Sequence, residues 1–369
     1  MSKFHSLKIK DITKETADAV SIAFDIPENL KEDYNYLPGQ YVTLKTIVNG
    51  ETLNRSYSLC SNPIDGNDFR IAIKRVINGK VSTYLTQVAK VGDEMEVMLP
   101  MGNFHANIDR NAEKRYYLFG AGSGITPLYS ILKTVLSSEP KSKVVLAYGN
   151  FNSESVIFKE ELIKLQKENQ SRLEVIHVFD KPKKKGGFLG FGKKAVEELS
   201  FVEGRIDQVF VQKTLEGKDL SNAEFYTCGP TGLMRAVENT LKRLNVSDDK
   251  VNVEYFTEKD AEDKKAVTVG EAEADYDGVT EIDVVCDGKS SSFSMKGKET
   301  ILDACSKNSV DPPFACMVGA CTTCRCKMTE GSVEMGDCEA LTPKEIEQGY
   351  ILSCQAKPTS KKLVVDFDA

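Results

Sequence analysis

Residues 314–324 read FACMVGACTTC, and a further cysteine, Cys354, stands 30 residues beyond the last of them. Cys316, Cys321 and Cys324 are thereby spaced C-x4-C-x2-C, three thiols on one tight loop, with the fourth from a distant element. That is the spacing of a plant-type [2Fe–2S] centre. Two irons need four thiolates, and the small residues Gly319, Ala320, Thr322 and Thr323 let backbone N–H groups approach the sulfurs. Zinc also takes thiolates, but its sites usually come as two C-x2-C pairs. The x2, x2, x3 spacing of bacterial [4Fe–4S] loops is missing. Of the other cysteines, Cys326 and Cys338 lie outside the ligand spacing, Cys305 falls in the apolar stretch ILDAC, and Cys60 and Cys286 read as small buried residues.

Around this loop the composition sets limits. The chain has 369 residues, enough for two or three domains, and is 41% apolar and 28% charged, which excludes global disorder. A net charge of −7 argues against a nucleic-acid binder. No run approaches the ~18 apolar residues of a membrane helix, and the polar start MSKFHSLKIK is no signal peptide. The expectation is a cytoplasmic protein with neither nucleic acid nor membrane as partner. Three histidines (His5, His105, His177) are too few for a His-rich oxygenase centre. The chain is expected to serve such a centre, not to contain one.

Charge and periodicity divide the chain. Residues 257–277 carry eight acids and three bases, net −5, and residues 278–369 are net −4, which leaves residues 1–256 at +2. The middle stretch reads as a solvated linker, and the charge contrast favours electrostatic docking of the acidic C-terminal module. Residues 1–108 are strand-like: 21–27 alternate, and 41–48 meet 51–59 across Asn49-Gly50, the pair favoured in tight hairpins. Residues 68–76 and 92–100 continue the pattern, so a small antiparallel β-barrel is expected. Residues 109–256 alternate strands (115–119, 143–149, 173–179, 224–227) with helices (127–137, 158–169, 231–244), a doubly wound α/β domain with a parallel sheet. Residues 278–369 mix strands with a short helix near 300–307, an α+β module.

Three further motifs sit on this frame. Arg55-Ser56-Tyr57-Ser58 ends a hairpin strand and would suit a phosphate-bearing aromatic cofactor: guanidinium to pyrophosphate, ring to ring, hydroxyl to heteroatom. The next element, Ile73-Lys74-Arg75-Val76 followed by Gly79-Lys80-Val81-Ser82, opens a helix whose first N–H groups would cradle an anion, with Ser82 as its N-cap. Gly120-Ala-Gly122-Ser-Gly124-Ile-Thr126-Pro127 follows a strand and opens a helix, where a phosphate loop belongs. It lacks the last glycine of G-x-G-x-x-G, and the next strand ends in Gly149-Asn150 without an acid for a ribose. Cys228-Gly229-Pro230 places a soft thiol and a close-approach glycine at a strand's carboxyl end.

Two other patterns lead elsewhere. GFLGFGKK at 187–194 nearly matches a nucleotide-hydrolysing loop, but Lys194 replaces its magnesium-binding hydroxyl. Glu174 and His177 have the spacing of a diiron ligand pair, yet on a strand residues three apart face opposite sides.

In this order the motifs resemble the ferredoxin–NADP reductase superfamily fused to a C-terminal plant-type ferredoxin: R-x-Y-S, G-x-G-x-x-P, C-G-P and the four cysteines. YGN at 148–150, GRID at 204–207, PFAC at 313–316 and GYILSCQA at 349–356 are similar to the reductase subunits of phenylacetyl-CoA epoxidases. The resemblance implies a β-grasp ferredoxin domain, FAD in the barrel and NAD(P)H on the parallel domain. It also implies electrons passed through the cluster to a separate diiron oxygenase. It places Tyr57 and Ser58 beside the flavin ring, Cys228 beside the nicotinamide, and Phe256 over the flavin's other face. It assigns Arg55, Ser56, Ile73, Lys74, Val76, Gly79, Lys80, Val81 and Ser82, and Gly122, Gly124, Thr126, Pro127, Gly229 and Pro230, to cofactor binding. Phe151 stands where the family often has a base for the 2′-phosphate, so NADPH and NADH both stay open, and residues 183–194 look like an insertion. A reductase of another oxygenase or desaturase, a stand-alone NAD(P)H:acceptor oxidoreductase and a redox sensor are the alternatives.

Overall fold

The computed structural model describes residues 4–65, 68–182, 199–256, 266–336, 338 and 340–369. The 183–194 insertion, with the GFLGFGKK stretch, lies outside the described residues.

The first part holds β1 (Phe4–Lys14), β2 (Ala19–Asp25), β3 (Tyr41–Val48), β4 (Glu51–Ser58), β5 (Arg70–Lys74), β6 (Glu94–Met98) and one helix, α1 (Lys80–Gln87). The strands form one antiparallel sheet in the order β4-β3-β6-β1-β2-β5, and Leu59 bridging to Ile71 brings its two ends together. Alternation fills the barrel: Leu7, Ile9, Ile22, Val42, Leu44, Ile71, Ile73 and Val97 are fully buried within it. The β3–β4 turn uses Asn49 and Gly50 at φ 52° and 80°, the left-handed pair that a tight hairpin needs.

The second part holds β7 (Arg115–Ala121), α2 (Ile125–Ser138), β8 (Lys143–Asn150), α3 (Lys159–Glu168), β9 (Leu173–Phe179), β10 (Phe201–Glu203), α4 (Gln208–Leu215), β11 (Ala223–Cys228), α5 (Thr231–Arg243) and β12 (Val251–Glu254). Its sheet is parallel, in the order β10-β9-β8-β7-β11-β12. The order reverses at β7 and β11, so the ligand crevice lies beyond their carboxyl ends, at Gly120–Ala121 and Cys228–Gly229. Helix α2 is buried nearly all round because it packs on both sides. One flank meets the sheet, and the other meets Ala19, Cys60 and Ala72 of the barrel. Ser130 Oγ donating to the Ser61 carbonyl (2.6 Å) and Thr134 Oγ1 donating to Asn62 (3.1 Å) complete that seam.

The third part holds β13 (Val267–Val269), β14 (Val279–Cys286), β15 (Lys289–Lys296), α6 (Ile301–Lys307), β16 (Arg325–Glu330), β17 (Val333–Met335), α7 (Pro343–Glu347), β18 (Tyr350–Leu352), β19 (Ala356–Pro358) and β20 (Lys362–Asp366). A five-stranded sheet, β15-β14-β20-β16-β18, with β14 parallel to β20 and α6 packed on it, is a β-grasp. The expected linker needs correction. Within 257–277, Val267–Val269 pairs with β17, and Val269 is buried in the C-terminal core. An alternating V-T-V inside an acidic stretch was enough to join a sheet. Residues 257–265 lie outside the described residues.

Candidate functional site

A cleft of about 660 Å³ opens where the three parts meet. Its floor is the end of β4: Arg55, Ser56, Tyr57 and Ser58 all line it. Lys74, Val76, Gly79, Lys80, Val81 and Ser82 form one wall, Ser123 and Thr126 join from the glycine loop, and Phe256 stands at the opposite side, 41% exposed. Ile73 does not reach it; its side chain points into the barrel core, while its neighbours Ala72 and Lys74 face the cleft. Ser82 is not the N-cap of α1. Gly79, extended at φ −73° and ψ 116°, caps it, and Ser82 lies one turn in, its Oγ accepting from the Val76 N–H (3.1 Å). No side chain caps the first N–H groups of α1, and Arg55 and Lys74 add positive charge, which fits a pyrophosphate.

The glycine loop and the Cys228 turn meet directly. A Cβ on Gly124 would lie 2.0 Å from the Cys228 carbonyl oxygen, so only glycine permits this contact. Gly122 (φ 55°) passes close to Lys74, and its carbonyl accepts from the Tyr148 hydroxyl (3.0 Å). Pro127 is buried in the first turn of α2, and Thr126 Oγ1 donates to the Ser123 carbonyl (2.9 Å). Cys228 is fully buried, and burial, with Glu254 nearby, pushes its thiol up. Gly229 and Pro230, more open, lead into α5.

The cysteine loop faces the same cleft: Cys316, Val318, Ala320 and Cys321 line it across from β4. The four predicted ligands converge. The Cys316 thiol lies within hydrogen-bonding reach of Cys321 and Cys354, and that of Cys354 within reach of Cys324. Among the described residues no three His, Cys, Asp or Glu side chains are placed to hold one single ion. Four adjacent thiols fit the donor set that two irons need. Cys286, Cys305 and Cys326 are buried in the module's core.

Comparison with known proteins decides the family. Residues 6–106 match the Oxidoreductase FAD-binding domain, 118–239 the Oxidoreductase NAD-binding domain, and 284–359 the 2Fe-2S iron-sulfur cluster binding domain. One subunit of the 1,2-phenylacetyl-CoA epoxidase of Escherichia coli (strain K12) is 36% identical over 374 residues, covering 100% of this chain and 99% of its own. This chain belongs to the ferredoxin reductases with a C-terminal 2Fe–2S domain. The ferredoxin reductase component of 3-ketosteroid-9-alpha-monooxygenase from Rhodococcus rhodochrous is 33% identical over 98% of this reductase and 96% of its own length. The solved phthalate dioxygenase reductase shares the fold, with a TM-score of 0.56 at 24% identity over 98% of each chain. The reductase is thus an NAD(P)H-dependent oxidoreductase with FAD and a [2Fe–2S] cluster, and its relatives are components of oxygenase systems rather than stand-alone enzymes. Among its described residues no helix is long and apolar enough to cross a membrane.

One residue of the site escaped the motif reading. Glu254, at the end of β12, brings its carboxyl to the Ser58 hydroxyl, close to Cys228 and Cys321. Burial pushes it up to about 8, the Ser58 hydrogen bond opposing and Cys321 adding to the rise. An acid two places before Phe256, closing the short strand Val251-Asn252-Val253-Glu254, was the available signal.

Among the described residues the cluster module meets the barrel through hydrogen bonds. Ion pairs of the described residues such as Lys80–Glu51, Lys114–Glu224 and Arg325–Glu345 lie within single parts. Asn54 Nδ2 donates to the Phe314 carbonyl (2.9 Å), and Asn103 Nδ2 donates to the Ala340 carbonyl (3.1 Å) and to the Glu345 carboxylate (2.7 Å). Flavin-to-cluster transfer within the reductase should therefore change less than about twofold with ionic strength. A stopped-flow rate that falls steeply with added salt would contradict this.

Glu174 and His177 do not form a metal pair. They sit on β9, Glu174 exposed and His177 buried between Tyr148 and Phe179 with Nδ1 unpartnered. Burial lowers the ring from near 6.5 to about 4. The unfolded chain takes a proton there that the folded chain refuses, so stability is lost as pH falls through that window, by about 3 kcal/mol in all. Denaturant titrations at pH 7 and pH 4 should show a smaller loss for His177→Phe than for the parent.

Proposed function

We propose that this reductase draws two electrons from NAD(P)H and delivers them singly to a separate diiron oxygenase, the phenylacetyl-CoA epoxidase system being the one it serves. The observation that carries the reading is the shared cleft: the Arg55–Ser58 motif and the thiols of Cys316 and Cys321 open onto the same space. When bound, FAD takes a hydride and yields single electrons, and the cluster carries one at a time. Arg55, Lys74 and the start of α1, from Gly79 through Lys80, Val81 and Ser82, hold the pyrophosphate, with Val76 and the backbone of Ile73 beside it. Tyr57 would stack on the ring system of a bound flavin, Phe256 would cover its other face, and Ser56 and Ser58 would supply hydroxyls. Glu254 keeps a proton at its buried carboxyl beside Ser58. Gly122, Gly124, Thr126 and Pro127, with Cys228, Gly229 and Pro230, orient the nicotinamide coenzyme. Orientation in a water-poor site supplies most of the rate advantage. The four cysteines ligate the two irons.

The full-length similarity to a component of the Escherichia coli epoxidase supports the choice of partner. The purified protein should be coloured by flavin and cluster, be reduced by NADH or NADPH, and sustain turnover of the epoxidase's oxygenase component but not that of a ketosteroid hydroxylase. Fast turnover with quinones and none with the oxygenase component would overturn the proposal.

A further inference from the structure

We propose that Tyr41 is the positioning residue that docks the cluster loop onto the flavin strand, through a buried chain of hydroxyls joining the two redox sites. The inference rests on the electron route proposed above and adds the device that keeps its two ends in register.

Tyr41 and Thr43 lie two apart on β3 and so share one face, opposite Ser58 and Ser56 of β4. The Tyr41 hydroxyl accepts from the Thr322 N–H (2.9 Å) and pairs with Thr322 Oγ1 (3.0 Å) and Thr323 Oγ1 (3.3 Å). Thr323 Oγ1 continues to Thr43 Oγ1 (3.2 Å), and Thr43 Oγ1 to Ser56 Oγ (3.0 Å). The chain thus runs from between two cluster ligands, Cys321 and Cys324, into the Arg55–Ser58 motif. Tyr41, Thr43 and Thr323 are 5%, 0% and 2% exposed, so water cannot replace a lost partner there.

The ring and the hydroxyl of Tyr41 do different things. The ring packs against Ala315 and Cys321, and phenylalanine would keep that contact. Only the hydroxyl satisfies the Thr322 N–H. Its removal leaves this half-buried donor without its partner, which favours the loop lifting off the barrel. These short uncharged bonds set the register of the loop.

The test uses the enzyme loaded with flavin and cluster, in the parent and in Tyr41→Phe, Thr323→Val and Thr43→Val. Hydrogen exchange of the peptide spanning 318–324 should lose about tenfold in protection in Tyr41→Phe and less in Thr323→Val, as expected for one or two buried hydrogen bonds. Single-turnover flavin-to-cluster transfer should slow in the same order, relative to direct ferricyanide reduction. Thr43→Val, which leaves the Thr322 N–H bonded to Tyr41, should show a smaller change in exchange than Tyr41→Phe. Thr323→Val decides the matter if Tyr41→Phe fails to fold. Unchanged protection and unchanged transfer in the variants, with normal transfer in the parent, overturn this inference alone. A parent whose cluster never takes electrons from the coenzyme overturns the proposed route as well.

Discussion

Replacing Cys354 with alanine should abolish the cluster's absorption and lower coenzyme-driven reduction of a one-electron protein acceptor by more than about a hundredfold. Ferricyanide, which can take electrons from the flavin directly, should still be reduced. The Cys354 thiol is the middle of the converged set, within reach of both Cys316 and Cys324, and 6% exposed. Cys354 and Cys324 both lie in the apolar core of the ferredoxin part. That core is separate from the cluster of apolar residues filling the barrel and from those flanking the parallel sheet. Losing the irons therefore leaves the flavin and coenzyme sites standing. Side-by-side assays with ferricyanide and with a protein acceptor read the difference, and loss of both activities together would contradict it.

Gly124→Ala should lower stability by about 3 kcal/mol and raise the KM for the coenzyme. The added carbon would stand 2.0 Å from the Cys228 carbonyl oxygen and 2.9 Å from the Gly229 nitrogen. Both are backbone atoms at the end of a central strand, so neither can swing aside as a side chain would. Relief requires the glycine loop to part from the Cys228 turn, which disturbs the crevice at the switch point of the sheet. Gly232→Ala is the control. Nothing lies within 4 Å of its Cβ position, and it sits in α5, where alanine is favoured over glycine by about 1 kcal/mol. Thermal unfolding of the two variants, with KM for NADH and NADPH, separates local collision from a general intolerance of added methyl groups.

The parts legible in the sequence were those written locally. The cysteine spacing, the Asn49-Gly50 hairpin, and the strand–glycine–helix sequence at Gly122 each declare themselves within about a dozen residues. What stayed hidden depends on contacts between distant segments. Glu254 matters because β12 carries it to Ser58, nearly 200 residues earlier in the chain. Tyr41 looked like one more strand residue; its partner Thr322 is 281 positions away. Ser82 has the right chemistry for an N-cap, but Gly79 already offered the extended conformation that a helix start requires. Helix α4, opened by Asp207, whose carboxylate accepts from the Phe210 N–H, was missed because its apolar residues Val209, Phe210 and Val211 are bunched rather than spaced as a helical stripe. The acidity of the ferredoxin part suggested attraction by charge, whereas the contacts seen among the described residues come from Tyr41, Thr322, Thr323, Asn54, Asn103 and Glu345, brought together from distant segments.

Helix α2 has a mechanical consequence. It is clamped by the sheet on one flank and by Ala19, Cys60 and Ala72 on the other, so the barrel and the parallel domain share a continuous apolar joint. Among the described residues the ferredoxin part is attached by hydrogen bonds from Tyr41, Asn54 and Asn103 and by small apolar contacts at Ala315, Cys321 and Ala320. On heating, the first two parts should melt as a single calorimetric unit and the last as a second, giving two heat-absorption peaks for three structural parts.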